Sequence, residues 1–422
     1  MSRLLNNNLK YNTKEDTFNA PHRRFYYVWN YLEWGGAQIY FFGLIERAKK
    51  FGEVSVILPV GSNKQLLKFL DSLQVSYYFF DSHTDLQPAA TIGRKLHRHW
   101  NKLYSEIILI KFLKKLNFEN SVTHIELPPW QSLLAILWLC QRTKVFITIH
   151  NSVLPIPKLR YLLWQTKFRI LARNKNFHLF TANKDAKESL KSLVPKDLFD
   201  KITVTYAFIN PSEINEALNI EINQVELKKK YKLPIDKYLV FCVGQFIDRK
   251  GRWVFLETAK KLLEKNQDIA FVWISNSKPT KEELEKAKKF ELGEDFIFIT
   301  SDQIGKEHID LFKLLRTADT FALPSFLEGL PLSLLEAMAL GIPSISTDIN
   351  GIPEAIKHLE TGYLIKAGSS DELVKAIQKL KDDKILREKL SKNGREFVLE
   401  NFNEKAVAKI ALERYLEALQ QG

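Results

Sequence analysis

Two glutamates, Glu328 and Glu336, stand eight positions apart in FLEGLPLSLLEAMALGIP, residues 326–343, and almost everything around them is apolar. A carboxylate hidden among aliphatic side chains needs a partner, because an unpaired buried charge is expensive. Pro331 suits a first helical position, where its missing N–H is not needed. Gly341 and Pro343 suit a helix stop, so the residues predict a short helix from about Leu332 to Leu340. Glu328 then lies just before the helix N-terminus and Glu336 one turn inside. Ser333 and Glu336, at i and i+3, share a face, while Leu332, Leu335, Ala337, Met338 and Ala339 cover most of the rest. A helix apolar nearly all round is a buried one. Glu336 therefore pairs inside the protein or receives a ligand.

Two further loops carry chemistry-bearing residues. In Leu32-Glu33-Trp34-Gly35-Gly36-Ala37-Gln38 the glycine pair separates an apolar run from an amphipathic one. Such glycines let backbone N–H groups approach a phosphate at a helix N-terminus, and a plain tight turn uses the same residues. In Val243-Gly244-Gln245-Phe246-Ile247-Asp248-Arg249-Lys250-Gly251 a glycine is followed by two adjacent cations, which reads as a polyphosphate clamp or as solvated surface charge. His150 ends the run VFITIH, as a structural side chain or a site residue. His124, in VTHIEL, is structural or lines an acceptor site.

The elements that must position these loops alternate strand and helix. FYYVWNYL, EVSVILPV, SYYFF, VFITIH, HLFTA and ITVTYA read as strands, with helices such as GGAQIYFFGLIERAKKF and KQLLKFLDSL between them. Residues 211–236 are polar and weakly periodic, as a linker is. Alternation restarts with YLVFCVGQF, IAFVWIS, FIFIT, TFALPS and IPSISTDI. Such alternation predicts a parallel, doubly wound sheet, and its occurring twice predicts two Rossmann-like α/β domains. The expected organisation is an arm at 1–21, an N-terminal domain at 22–212, a linker at 213–236, a C-terminal domain at 237–400, and a C-terminal helix at 401–422 packing back on the first domain. Ligands of open α/β sheets bind beyond the carboxyl ends of strands, where the three loops fall.

The 422 residues suffice for two domains, and 45% hydrophobic with 26% charged is an ordinary globular composition. The polar N-terminal arm lacks the apolar core of a signal peptide, and the longest clean apolar run, Leu133–Cys140, is too short to span a bilayer. Cys140 and Cys242 sit in apolar strings without metal-ligand spacing, which fits reduced thiols and a cytoplasmic setting. The net charge of +13 points to an anionic partner: a nucleotide, nucleic acid or an acidic lipid surface. No helix-turn-helix, zinc or RRM signature favours nucleic acid.

The block TFALPSFLEGLPLSLLEAMALGIPSISTDINGIPEAIKHLETGYLI, within residues 320–365, together with the glycine and lysine loops, resembles the family-4 retaining glycosyltransferases of GT-B fold. The resemblance covers nearly the whole chain from about residue 24. It implies a nucleotide-sugar held between two domains. Glu336 would accept hydrogen bonds from the ribose hydroxyls, and Glu328 would face the transferred sugar. The backbone at Gly329, Leu330 and Leu332, with Ser333 and the helix dipole, would hold the diphosphate and sugar hydroxyls. Lys250 matches the family's phosphate-binding lysine, Gly35 and Gly36 its glycine loop, and His150 a histidine near the anomeric carbon. Gln245 stands where the family commonly has arginine, with Arg249 as a possible replacement. Asn151 replaces a frequent aspartate, and Asn350 the first glycine of a pair. The implied reaction retains configuration by same-face attack. It needs no metal and no cofactor, the UDP- or GDP-linked sugar being the substrate. A catalytically silent homologue that senses a sugar nucleotide or serves in assembly is the alternative.

Two basic stretches bear on the acceptor. Arg94, Lys95, Arg98, Lys102, Lys111, Lys114 and Lys115 face a single acid, Glu106, with Leu96, Trp100, Leu103, Ile107 and Ile110 at helical spacing. KLRYLLWQTKFRILARNK, residues 158–175, holds six cations and no acid around Tyr161, Trp164 and Phe168. Basic amphipathic helices with aromatics suit an anionic membrane surface or form the solvated face of a core helix. A saccharide or lipid-linked saccharide acceptor at the inner membrane face fits the first reading.

Overall fold

The computed structural model describes residues 23–29, 36–81, 92–126, 132–265, 268–305 and 307–421. The arm expected at 1–21 and Gly35 of the glycine pair lie outside the described residues. The first series of strands is β1 (Arg24–Trp29), β2 (Glu53–Pro59), β3 (Ser76–Phe80), β4 (Ser121–Glu126), β5 (Lys144–Ile149), β6 (Phe177–Thr181) and β7 (Thr203–Val204). The second is β8 (Tyr238–Val243), β9 (Ile269–Ser275), β10 (Phe296–Thr300), β11 (Thr320–Leu323), β12 (Ser344–Thr347) and β13 (Tyr363–Ile365). They form two sheets, ordered β3-β2-β1-β4-β5-β6-β7 and β10-β9-β8-β11-β12-β13, with parallel registers such as Val240↔Phe271 and Phe321↔Phe241. Both orders are doubly wound. Each reverses direction where its first strand meets its fourth, β1 beside β4 and β8 beside β11, and the loops leaving those strands are where such sheets bind ligands. The expected pair of Rossmann-like sheets is present.

The chain divides into two compact units, residues 1–34 with 45–146 and 415–422, and residues 35–44 with 147–414. In the first, β4 is wholly buried although it reads SVTHIE. The polar side chains find partners: Ser121 donates to the Phe118 carbonyl, and His124 Nδ1 shares a hydrogen bond with the Tyr415 hydroxyl. The His124 ring also lies against Tyr27 and Phe146, so its structural reading is the one realised. Glu106 is not a solvated charge either. It is buried on the helix Ile92–Leu113 and accepts from Ser132 Oγ (2.9 Å) and the Ala135 N–H (3.1 Å). It thereby caps the helix Leu133–Cys140 in place of Ser132, whose own hydroxyl makes no cap.

In the second unit, β8 and β9 read YLVFCV and IAFVWIS, near-continuous apolar runs suited to burial on both faces. The segment read as a linker contains two helices, Pro211–Asn219 and Gln224–Lys230. Asn210 caps the first through the N–H groups of Ser212 and Glu213 (2.9 and 3.3 Å), and Asn223 caps the second through Val225 and Glu226 (3.1 and 3.2 Å). Ile214 and Ala217 are fully buried in the core of the second sheet, so this stretch is packed against that core. Cys140 and Cys242 are buried free thiols; desolvation pushes Cys140 up to about 12 and Cys242 upward as well, which makes both unreactive.

Candidate active site

The helix of the opening stretch runs Leu332–Ala339, and all of Leu334 to Ala339 is buried. Pro331 is its N-cap, not its first residue: at φ −71°, ψ 120° it is extended, while its carbonyl still accepts from Leu334 and Leu335 (3.1 and 3.2 Å). Gly341 takes φ +78°. The N–H groups of Gly341 and Ile342 close on the carbonyls of Met338 and Ala337 (both 2.9 Å), a Schellman stop that glycine accommodates without strain. At the other end, no described residue accepts from the N–H groups of Gly329, Leu330, Leu332 or Ser333. These are the donors a helix start leaves open, and the helix dipole makes them receptive to an anion. Ser333 Oγ donates to the Val243 carbonyl at the end of β8 (3.0 Å).

The two carboxylates have different partners. Glu328 Oε1 meets Lys250 Nζ at 2.6 Å and accepts from Ser325 Oγ at 2.7 Å, while Oε2 lies 3.5 Å from Arg249 Nη1. Arg249 also donates to the Leu327 carbonyl (3.0 Å), and its own carbonyl accepts from the Phe326 N–H (2.8 Å). The loop leaving β8 is thus fastened to the loop leaving β11. Two cations against one carboxylate leave this end of the site with a net positive charge. Glu336 Oε1 instead lies 3.3 Å from His308 Nε2, whose Nδ1 lies 3.1 Å from Glu213 Oε1. Burial opposes a charge on His308, yet Glu336 and Glu213 outweigh it and hold the imidazolium up to about 10. Even so, two carboxylates sharing one histidine leave that end net negative.

The same unit brings in His150. A Cβ on Gly329 would sit 2.2 Å from the His150 carbonyl oxygen, and one on Gly351 would sit 2.3 Å from that of Gly329. Glycine at these two positions therefore lets the end of β5 and the loops after β11 and β12 approach backbone to backbone. The His150 ring lies edge-on to Tyr40, centroids 5.3 Å apart, and beside Phe41. Tyr40 belongs to the helix Gly36–Ala48, one turn beyond Gly36, and is anchored by Thr205 (2.6 Å). Asn350 takes φ +46°, a left-handed conformation that asparagine tolerates; its Nδ2 donates to Asp185 (3.2 Å). Glu354 accepts from the N–H groups of Lys184 and Asp185, both at 3.0 Å.

Gln245 lies in the β8 loop, half-buried, next to Gly244, whose carbonyl accepts from Trp273 Nε1 (2.9 Å). Ser325 and His308, the partners of the two carboxylates, and Glu213, which holds His308, were invisible to motif reasoning. Their one sequence signal is indirect: a hidden acid must have a partner somewhere. Among the described residues no cluster of three or more His, Cys, Asp or Glu could hold a metal ion.

The basic helices present apolar side chains outward. On Lys158–Ala172, Leu159 is 73% exposed and Leu162 and Leu163 are about as open as Leu154 in the preceding loop, whereas Phe168 and Leu171 are buried. On Ile92–Leu113, Trp100 is 69% exposed and Leu103 and Ile107 are exposed as well, while Ser105, Glu106, Leu109 and Leu113 are buried. The side chains of Arg94, Lys95, Leu96 and Arg98 lie outside those described. No described helix is long and apolar enough to cross a membrane.

Residues 223–397 match the family described as glycosyl transferases group 1. Over 214 residues, 48% of the chain and 54% of the relative, the protein is 30% identical to UDP-Gal:alpha-D-GlcNAc-diphosphoundecaprenol alpha-1,3-galactosyltransferase of Escherichia coli. Over 225 residues, 52% of the chain and 57% of the relative, it is 24% identical to the capsular polysaccharide biosynthesis glycosyltransferase CapM of Staphylococcus aureus. The chain spans about half the length of the curated relatives it matches. A solved glycosyltransferase from Rickettsia africae superposes with a TM-score of 0.76 over 96% of this chain and 100% of its own at 18% identity, a likeness of fold. The stretch 223–397 that matches the glycosyl transferases group 1 carries both carboxylates and both cations.

Proposed function

We propose that the protein is a retaining glycosyltransferase. It moves a sugar from a UDP- or GDP-linked donor to a saccharide or lipid-linked saccharide acceptor in cell-surface polysaccharide or glycolipid synthesis. The observation that carries this reading is the charge split along the Glu328–Glu336 segment. Its Lys250–Arg249 end suits a diphosphate, and its Glu336 end suits hydroxyl groups. A carboxylate accepting from two ribose hydroxyls forms charge-assisted hydrogen bonds. As the bond from the anomeric carbon to phosphate stretches, charge develops on the diphosphate, and fixed donors aimed at it are the strongest available help. Lys250, Arg249 and the open N–H groups from Gly329 to Ser333 are those donors, which is why we propose no metal. Glu328, paired with Lys250 and Arg249, holds that lysine in position and faces the transferred sugar. His150 supports the sugar from the end of β5, and Gly35 and Gly36 close on the phosphates. A water-excluding site turns over an activated sugar slowly without acceptor, so a panel of UDP-, GDP- and ADP-sugars, assayed for released nucleotide with EDTA present, tests the reading. Release from one base class supports it, and no release from any sugar opposes it. Binding without turnover selects a sugar-nucleotide sensor, which Gln245 in an arginine position favours.

The exposed leucines among the cations of Lys158–Ala172, with Trp100 on the other basic helix, support an acceptor met at an anionic membrane surface. Flotation with phosphatidylglycerol vesicles over a salt series tests this: binding at low salt that weakens as salt rises is expected, and no binding at low salt contradicts it.

A further inference from the structure

We propose that His308 is a positioning residue for nucleotide binding: held between Glu213 and Glu336, it fixes the Glu336 carboxylate in the orientation that receives the ribose hydroxyls. The proposal rests on the ribose role of Glu336 and adds the device that makes that role work. His308 opens the helix His308–Leu315, Glu213 lies on Pro211–Asn219 and Glu336 on Leu332–Ala339, so three helices converge on one ring. Both ring nitrogens face carboxylate oxygens, at 3.1 and 3.3 Å. Only the imidazolium donates from both nitrogens. Its two N–H groups point in nearly opposite directions from a rigid plane, so anchoring one on Glu213 aims the other at Glu336. Phe312, with centroids 4.4 Å from the ring, supports it from one turn along the helix.

The pairing through Glu336 Oε1 leaves the other Glu336 oxygen to the ligand. A lysine could pair with Glu336 as well, but its single ammonium on a flexible stem would not impose a direction. Asp310, on the same helix as His308, faces Lys313 (3.2 Å). Glu213 and Glu336 are thus the groups that keep His308 protonated.

Calorimetric titration of the full chain with UDP, GDP and their 2′-deoxy forms tests the proposal, each variant first checked by its melting curve. The wild type prefers one ribonucleotide to its 2′-deoxy form. His308→Ala is expected to bind that ribonucleotide about tenfold more weakly, the loss of one well-placed charged hydrogen bond, and to discriminate little against the deoxy form. His308→Gln, which still donates to Glu336, recovers part of the discrimination and makes it independent of pH. Glu213→Gln leaves the ring to one carboxylate, so the fall of affinity with rising pH moves down from about 10 to lower pH. A merely structural histidine would not move that profile. His308→Ala with wild-type affinity and discrimination, together with an unmoved profile in Glu213→Gln, overturns the proposal. A wild type that binds ribo and deoxy forms equally overturns the ribose role of Glu336 itself, and the proposal falls with it.

Discussion

Glu328 and Glu336 share one stretch of chain and are about equally hidden, yet the protein neutralises them in opposite ways. Glu328 meets two cations, Lys250 and Arg249. Glu336 meets a histidine that is itself shared with Glu213. The first arrangement has cation to spare, the second carboxylate to spare. The difference teaches how an amphoteric ligand would be oriented, phosphate toward one end and hydroxyls toward the other, before any contact with its base or sugar.

The largest effect that could break this comparison is expected at Lys250. Lys250→Ala should lower kcat/KM by roughly 100- to 1000-fold, as loss of a fixed donor to developing charge does. Binding of the bare nucleosides uridine or guanosine should hardly change. A comparable loss for the nucleosides would mean that the cationic end does not read phosphate. Glu328→Ala should act differently, since removing the acid frees Lys250. We expect kcat to fall about 10- to 100-fold, a transition-state loss, while calorimetry finds the nucleoside diphosphate bound as well as before or better. Weaker diphosphate binding with normal turnover would reject that division of labour.

The smallest effect concerns stability. Glu336 and Glu213 hold the pKa of His308 above its unfolded value of 6.5, at about 10. The stabilisation is therefore complete below about 6.5 and is lost as pH rises through about 10. The melting temperature of the wild type minus that of His308→Gln should accordingly be largest at pH 6 and shrink toward pH 10.5. A difference that is constant or grows with pH would show that the ring is not held protonated.

How much of this was legible in the sequence follows from how far apart the partners lie. The helix Leu332–Ala339, its glycine stop and the burial of Glu336 were readable, because cap, period and composition are local signals. So were five strands of the second sheet, β8 to β12, whereas β13 is only three residues long. β4 was missed because a central strand carrying Ser, Thr, His and Glu has no apolar signature, its burial being made possible by Tyr415 and other remote groups. The helices within 211–236 were missed because each buries few side chains. The partners of the carboxylates were hidden for the same reason as those of β4. Nothing in the spacing around Glu336 names His308 or Glu213, and a local pattern does not show that Lys250 would close on Glu328. Glu106 offered a clue that went unread: one acid in a helix of cations has reason to be buried, as its capping of Leu133–Cys140 shows.

The most direct test is a calorimetric comparison of the wild type and Glu336→Ala with UDP and GDP. The wild type should bind one of them, and the variant should bind that nucleotide about 10- to 150-fold more weakly, the equivalent of about 1.5–3 kcal/mol of charged hydrogen bonding. Equal affinity in the two proteins would contradict the account.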